Sequence, residues 1–260
     1  MSPIVWLSGR YLNEARARLP LTSALLLQGV GLFETMRIQD GGVPLLPLHL
    51  ERLHAAAEAV GLPRDRTNWE EILATLAQRN RITDGRARVT VGPDVRLATV
   101  APLPRELDRE RRQGISLTTA RLQRPLADLK TTSRLSLWLA ERRAGGEVLL
   151  VSARGRALET SRSNFFVLRR GALETATPPR VLPGIVRALV LEVARELSLP
   201  VRRRAPQLTE SRGWQEVFVT NALRGLRRVR DIDGRTLRAP GRDSPLRELA
   251  SRVEARMGIR

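Results

Sequence analysis

The sequence predicts a mixed α+β protein of two lobes, and three observations carry that prediction. Its 260 residues suffice for two domains of ordinary size. Short strand-like and helix-like apolar patterns alternate along the whole chain. Between residues 102 and 112, prolines and dense charge interrupt the pattern as an exposed connection would. The expected layout is a first α/β lobe over 1–104, a connection over 105–114 and a second lobe over 115–260.

In the first lobe, GLFETMRI (31–38) reads as a strand, Asp40-Gly41-Gly42 as a hairpin turn and Val43 to Leu46 as the returning strand. Pro47 then introduces an amphipathic helix with Leu50, Leu53, Ala57 and Val60 at helical spacing and Gly61 as its stop. A second helix covers Asn68 to Arg79, and strands follow at 87–91 and 97–101. The second lobe opens with a strand at 115–119, passes through a loop carrying Lys130 and enters a helix at Thr132 to Ala144. Strands at 147–151 and 164–168 bracket the turn-rich stretch ARGRALETSRS. Pro183-Gly184 leads into a helix over Ile185 to Leu197, whose Val186, Leu189, Val190 and Val193 form one apolar face. Strands at 201–204, 216–220 and 225–229 precede a terminal helix over Pro245 to Met257.

Composition narrows the function. No apolar run approaches the roughly 20 residues of a membrane helix, and Met1 to Arg10 lacks the layout of a signal peptide. The expectation is a cytoplasmic protein with no membrane partner. With no cysteine, disulfides and thiolate chemistry are excluded. His49 and His54 lie five apart without the carboxylate pattern of a helical zinc motif, so no metal is expected. The net charge of +18 would ordinarily suggest nucleic acid. Here the arginines run evenly from Arg10 to Arg260 and only 3% of residues are aromatic, so no nucleic-acid partner is expected, and a basic nucleic-acid-binding protein is the non-enzyme alternative. Of 45 basic residues one is a lysine, Lys130. A guanidinium cannot lose its proton at working pH or form a Schiff base. Composition alone leaves open whether Lys130 survives by chance or for that chemistry.

The segments GLFETMRI, HLERLHAAAEAVGL, LKTTSRLSLWLAERRA, LETSRSNFFVL, LPGIVRALVLEVA and EVFVTNALRGLRRV resemble, in order and spacing, the class IV aminotransferases, the fold-type IV pyridoxal-phosphate enzymes. The resemblance spans about Gly29 to Asp233. It implies pyridoxal 5'-phosphate in an interlobe cleft, a small-molecule substrate and a homodimer. Lys130 matches the Schiff-base lysine and general base, and its place just before a helix would favour a neutral amine. Glu159 matches the carboxylate partner of the pyridine nitrogen. Arg52 matches the phosphate-binding arginine, and Ile185 and Val186 match a phosphate cup of backbone N–H groups at a helix start. Asn221 and Ala222 match a second phosphate turn, while Ser161, Ser163 and Asn164 shape the cofactor loop. Many relatives have a hydroxyl where Val186 stands.

Fold and cofactor do not select the reaction. Arg134, four residues after the lysine, and the asparagine-alanine-leucine turn lean towards 4-amino-4-deoxychorismate lyase, which gives 4-aminobenzoate and pyruvate. Thr35 fits a hydroxyl of the lyases but discriminates little. The segment GPDVR is shorter than the arginine-rich loop with which transaminases engage a carboxylate, leaving Arg96 as a substitute candidate beside Arg134. The enzyme alternative is a D-amino-acid or branched-chain aminotransferase.

Overall fold

The computed structural model describes residues 2–239, 241 and 244–259. Two compact units emerge, one holding the residues up to Pro104 together with Leu129–Ser133, the other holding Arg105–Asp128 and the chain from Arg134 onward. No helix among the described residues is long and apolar enough to cross a membrane.

The first unit contains β1 (Ile4–Leu7), β2 (Arg10–Asn13), α1 (Ala24–Leu27), β3 (Leu32–Ile38), α2 (Leu46–Ala59), α3 (Trp69–Asn80), β4 (Gly85–Val91) and β5 (Arg96–Pro102). Its sheet is antiparallel in the order β2-β1-β5-β4-β3. Leu32, Met36 and Ile38 alternate on β3 and pack against Leu53 of α2 and Leu73 and Leu76 of α3. Asn68 caps α3 by accepting from the Glu71 N–H, and Trp69 meets Trp6 edge-on at 5.3 Å.

The predicted strand at 43–46 is absent. β3 pairs with β4 from Leu32↔Val91 to Ile38↔Gly85, and past the Gln39↔Gly42 bridge the chain enters α2 at Leu46. Pro44 and Pro47 have no N–H to give a ladder, whereas the first turn of a helix tolerates that loss. The stretch 102–112 is also more ordered than a connection. It carries α4 (Glu106–Gln113), with acids in its first turn, Arg111 and Arg112 in its last, and Leu107 buried.

The second unit continues with β6 (Ile115–Arg121), α5 (Leu135–Ala144), β7 (Val148–Val151), β8 (Ala157–Thr160), β9 (Asn164–Arg169), β10 (Ala172–Thr175), α6 (Ile185–Glu196), β11 (Val201–Arg202), β12 (Glu216–Asn221), β13 (Gly225–Ile232), β14 (Arg235–Thr236) and α7 (Pro245–Arg256). The strand order is β11-β10-β9-β12-β13-β6-β7-β8, with β14 on β13. A further pairing of β8 with β9 closes six of these strands into a ring. Alternate side chains from all six fill it: Ile115, Leu117, Leu149, Val151, Ala157, Phe165, Val167, Val217, Val219 and Val229 form one buried cluster with Trp214. Outside the ring, α6 buries Val186, Val190 and Val193.

Leu129–Ser133 does not begin a helix. Lys130 accepts from the Phe33 N–H at 2.9 Å, Thr131 bridges Leu32, and the Thr132 N–H donates to Gly31 at 2.9 Å, so the segment borders the start of β3 through one antiparallel bridge. The Thr132 and Ser133 hydroxyls both donate to the Gly29 carbonyl, at 2.6 and 3.1 Å. These bonds keep the backbone out of a helix, and α5 starts only at Leu135. Lys130 therefore does not stand at a helix start, contrary to the expectation that a helix dipole favours its neutral amine.

Candidate active site

In the first unit, Lys130 places its Nζ 4.5 Å from the centre of the Phe33 ring, which Arg88 also approaches at 3.7 Å. Thr35, two residues along β3 from Phe33, lies directly across from Arg88. On the opposite face of β3 stands Glu34, 1% exposed. Its carboxylate accepts from Arg52 through Nε at 2.8 Å and Nη2 at 2.7 Å, and His49 Nδ1 lies 2.7 Å from Oε2. An ionised carboxylate only accepts, so Nδ1 carries the proton. His49 and Arg52 are three apart on α2 and share a face, which is why one strand glutamate reaches both. Burial opposes ionisation of Glu34, but hydrogen bonds from His49 and Arg52 and the Arg52 charge hold its pKa at about 2. Burial also pushes His49 below its ordinary 6.5; Glu34 pulls it up, and the charges of Arg52 and Lys130 push it further down.

Arg96 is committed elsewhere. Its Nε meets Asp65 Oδ1 at 3.3 Å and its Nη1 donates to the carbonyls of Gly92 and Val95 at 2.6 and 3.2 Å, closing the short turn between β4 and β5. It is a clamp on the turn, and we drop it as a carboxylate ligand for substrate.

In the second unit, the predicted residues gather on one row. Glu159 of β8 is directly paired with Asn164 of β9, and Asn164 with Thr220 of β12. With neighbouring strands about 4.8 Å apart, the row spans roughly 10 Å of backbone. Glu159, 4% exposed, accepts from Arg124 at 2.9 Å and from the Leu182 N–H at 3.0 Å. Asn164 donates to the Leu182 carbonyl at 2.9 Å. A Cβ on Gly184, the N-cap of α6, would overlap the Asn164 Oδ1, so only glycine lets the helix start come this close to the row. Gly184 offers no side-chain cap, and Ile185 and Val186 follow as the first two helical residues.

The neighbouring loops are built to hold this row. Thr160 and Ser163 exchange backbone and hydroxyl bonds. Ser163 Oγ accepts from Asn221 Nδ2 at 3.0 Å, and Asn221 Oδ1 accepts from the N–H groups of Leu223 and Arg224, folding the turn that presents Ala222. Buried Arg224 ties Glu110, Glu147 and Ser163 together beneath it. Arg134 donates to the Ser161 carbonyl at 3.1 Å, at the loop joining Glu159 to Asn164. Burial lowers its pKa; Glu141 and Glu159 oppose that effect, and the like charges of Arg124 and Arg162 reinforce it.

These residues suit a phosphorylated pyridine in two respects. The α6 start has no side-chain cap, as an anion would require, and Thr220, paired with the Asn164 whose Oδ1 abuts Gly184, is 1% exposed with a hydroxyl that has no hydrogen-bond partner. Glu159 supplies an acceptor at the other end of the row. Glu34, His49, Arg124 and Thr220 escaped the motif reading. Glu34 alone left a signal, as an acid on the otherwise apolar face of β3 formed by Leu32, Met36 and Ile38, ahead of two basic residues at helical spacing.

The class IV amino-transferase family matches residues 31–232. The bifunctional aminodeoxychorismate lyase/D-amino acid transaminase of Mycobacterium tuberculosis is 27% identical, over 90% of this chain and 92% of its own. The D-alanine aminotransferase of Listeria monocytogenes is 27% identical, over 84% and 83%. Among solved structures, a hypothetical aminotransferase from Mycobacterium tuberculosis in its PLP-bound form superposes with a TM-score of 0.86 at 25% identity, covering 98% of both chains.

Proposed function

Because the chain belongs to the class IV aminotransferase family, a family that works with pyridoxal phosphate, we propose that it is a 4-amino-4-deoxychorismate lyase, releasing 4-aminobenzoate and pyruvate. The observation that carries the reading is the row Glu159–Asn164–Thr220 beneath the uncapped start of α6, with Arg134 anchored at its loop. Bound there, the cofactor supplies an electron sink.

The protein's own residues divide the remaining work. Lys130, the single amine side chain, holds the cofactor and then carries the proton taken from the amine-bearing ring carbon. Glu159 accepts from the ring nitrogen, Arg52 meets phosphate with a guanidinium oriented by Glu34, and Ile185, Val186 and Ala222 offer backbone N–H groups. Ser163, Asn164 and Asn221 hold those loops in shape. The lyase substrate is a dicarboxylate, and Arg134 is the side chain we assign to one carboxylate, with Arg124 and Arg162 adding positive potential around it. Thr35 is assigned to the substrate side of β3.

The four-residue turn clamped by Arg96 also favours this reading over amino transfer, since it offers no extended arginine loop. A second reading, D-amino-acid transamination, is supported by the bifunctional relative. Incubation with 4-amino-4-deoxychorismate, followed by fluorescence of 4-aminobenzoate, tests the first; D-alanine or a branched-chain amino acid with 2-oxoglutarate tests the second. Transamination without 4-aminobenzoate release overturns the lyase assignment. We further propose a homodimer. The exposed stripe Leu135, Trp138 and Leu139 on α5 suits cover by another chain, and light scattering measures the mass.

A further inference from the structure

Arg187 is the third residue of α6 and only 7% exposed. Helical side chains lean back towards the N-terminus, and this one follows. Its Nη2 donates 2.9 Å to the Ala176 carbonyl just beyond β10, and its Cβ lies 3.4 Å from where a Cβ on Gly184 would stand. The placement is unfavourable twice over. A cation at a helix start opposes the helix dipole, and a buried guanidinium ordinarily meets a carboxylate. Buried Arg224 has Glu110 and Glu147, and buried Arg227 has Glu254. Among the described residues Arg187 has no carboxylate within 4.0 Å, and its Nε has no hydrogen-bond partner. Burial, and after it the like charge of Arg203, push its pKa down. Thr220, with its unpartnered hydroxyl, is paired with Asn164, whose Oδ1 abuts Gly184 at the same helix start. An uncompensated buried cation, an uncapped helix start and an orphan hydroxyl all call for the same thing, a multiply charged anion.

We propose that Arg187 is a positioning residue for a phosphate dianion at the start of α6, supplying charge from behind the first turn while the Thr220 hydroxyl contacts the anion directly. The inference rests on the cofactor reading above and adds two residues that its role assignments leave out.

The test is calorimetric titration of the apoprotein with inorganic phosphate, pyridoxal phosphate and pyridoxal, for the native chain, Arg187→Gln, Arg187→Lys and Thr220→Val. Arg187→Gln should weaken both phosphate-bearing ligands about tenfold or more, with a shallower dependence on salt. It should leave pyridoxal unchanged, and Arg187→Lys should retain most of the affinity. Thr220→Val should weaken the same two ligands while preserving the salt dependence. Unchanged phosphate affinity in Arg187→Gln, or an equal loss for pyridoxal, overturns the proposal. If Arg187→Gln fails to fold, Arg187→Lys decides, because a charge-keeping variant that binds phosphate tenfold worse is incompatible with an electrostatic role. Failure of the native chain to bind pyridoxal phosphate would instead defeat the cofactor reading.

Discussion

Replacing Glu34 by glutamine isolates the buried centre of the first unit. The carboxyl titrates at about 2 when folded, against 4.5 ordinarily. By linkage that difference is worth roughly 3 kcal/mol of stability at neutral pH. Removing one member of a buried ion pair gives a similar magnitude, about 3–5 kcal/mol, since Arg52 would lose the Glu34 charge. The sign is fixed by the direction: a depressed carboxyl stabilises above its unfolded value, and the stabilisation is lost as pH falls from 4.5 towards 2. Urea unfolding followed by tryptophan fluorescence, in which Trp6 and Trp69 report on this unit, should show Glu34→Gln less stable by about 3 kcal/mol at pH 7. By pH 3 about half of the difference should be gone. His49 penalises folding below 6.5 in both proteins, and more in Glu34→Gln because Glu34 no longer pulls its pKa up, so the Glu34 contribution is read from the slope of the difference between pH 4.5 and 3. A difference that is negligible at pH 7, or that stays constant down to pH 3, would show that the His49–Glu34–Arg52 contacts do not hold the carboxylate ionised, and the reasoning fails.

Three further outcomes follow from the site. Lys130→Ala should abolish the yellow colour expected of the loaded protein and lower turnover at least about a hundredfold, read by visible absorbance and the product assay. Gly184→Ala should force α6 away from Asn164, costing about 1–3 kcal/mol and weakening pyridoxal phosphate in a binding titration. Arg134→Gln should raise KM for the dicarboxylate about tenfold or more, with a smaller change in kcat; a fall in kcat alone would reassign Arg134 to holding the Ser161 loop.

Where the chain obeys local rules, the sequence is read easily. The spacing of Leu50, Leu53 and Ala57, the Asn68 cap and the Pro-Gly entry to α6 each reflect a short-range cause, and α2, α3 and α6 fall close to their expected places. β8 and β10 are four residues each and sit in stretches rich in turn-forming types; only closure of the ring and pairing with β9 make them strands. Glu159 shows the difference most directly, standing in ARGRALETSRS, which reads as turn, yet buried on a strand. Lys130 could be picked out because it is chemically unique in its chain. Its setting could not, since the bonds that hold residues 130–133 against the start of β3 come from Gly29, Gly31 and Phe33, about a hundred positions earlier. The commitment of Arg96 to its own turn depends likewise on Asp65, which no motif links to it.

The membership of Leu129–Ser133 has a practical consequence. The polypeptide leaves the first unit after Pro104, returns for five residues that border β3, and leaves again at Arg134. A gene cut at the apparent boundary would thus yield two products, each damaged. The amino-terminal piece would leave the Phe33 N–H and the Gly31 carbonyl at the start of edge strand β3 without their partners, an invitation to aggregation. The carboxy-terminal piece would keep the chain's one lysine while losing the strand that shapes its surroundings. Grafting, circular permutation or split-reporter designs on this scaffold should treat residues 129–133 as an insertion inherited by the other half, and should place their breaks elsewhere.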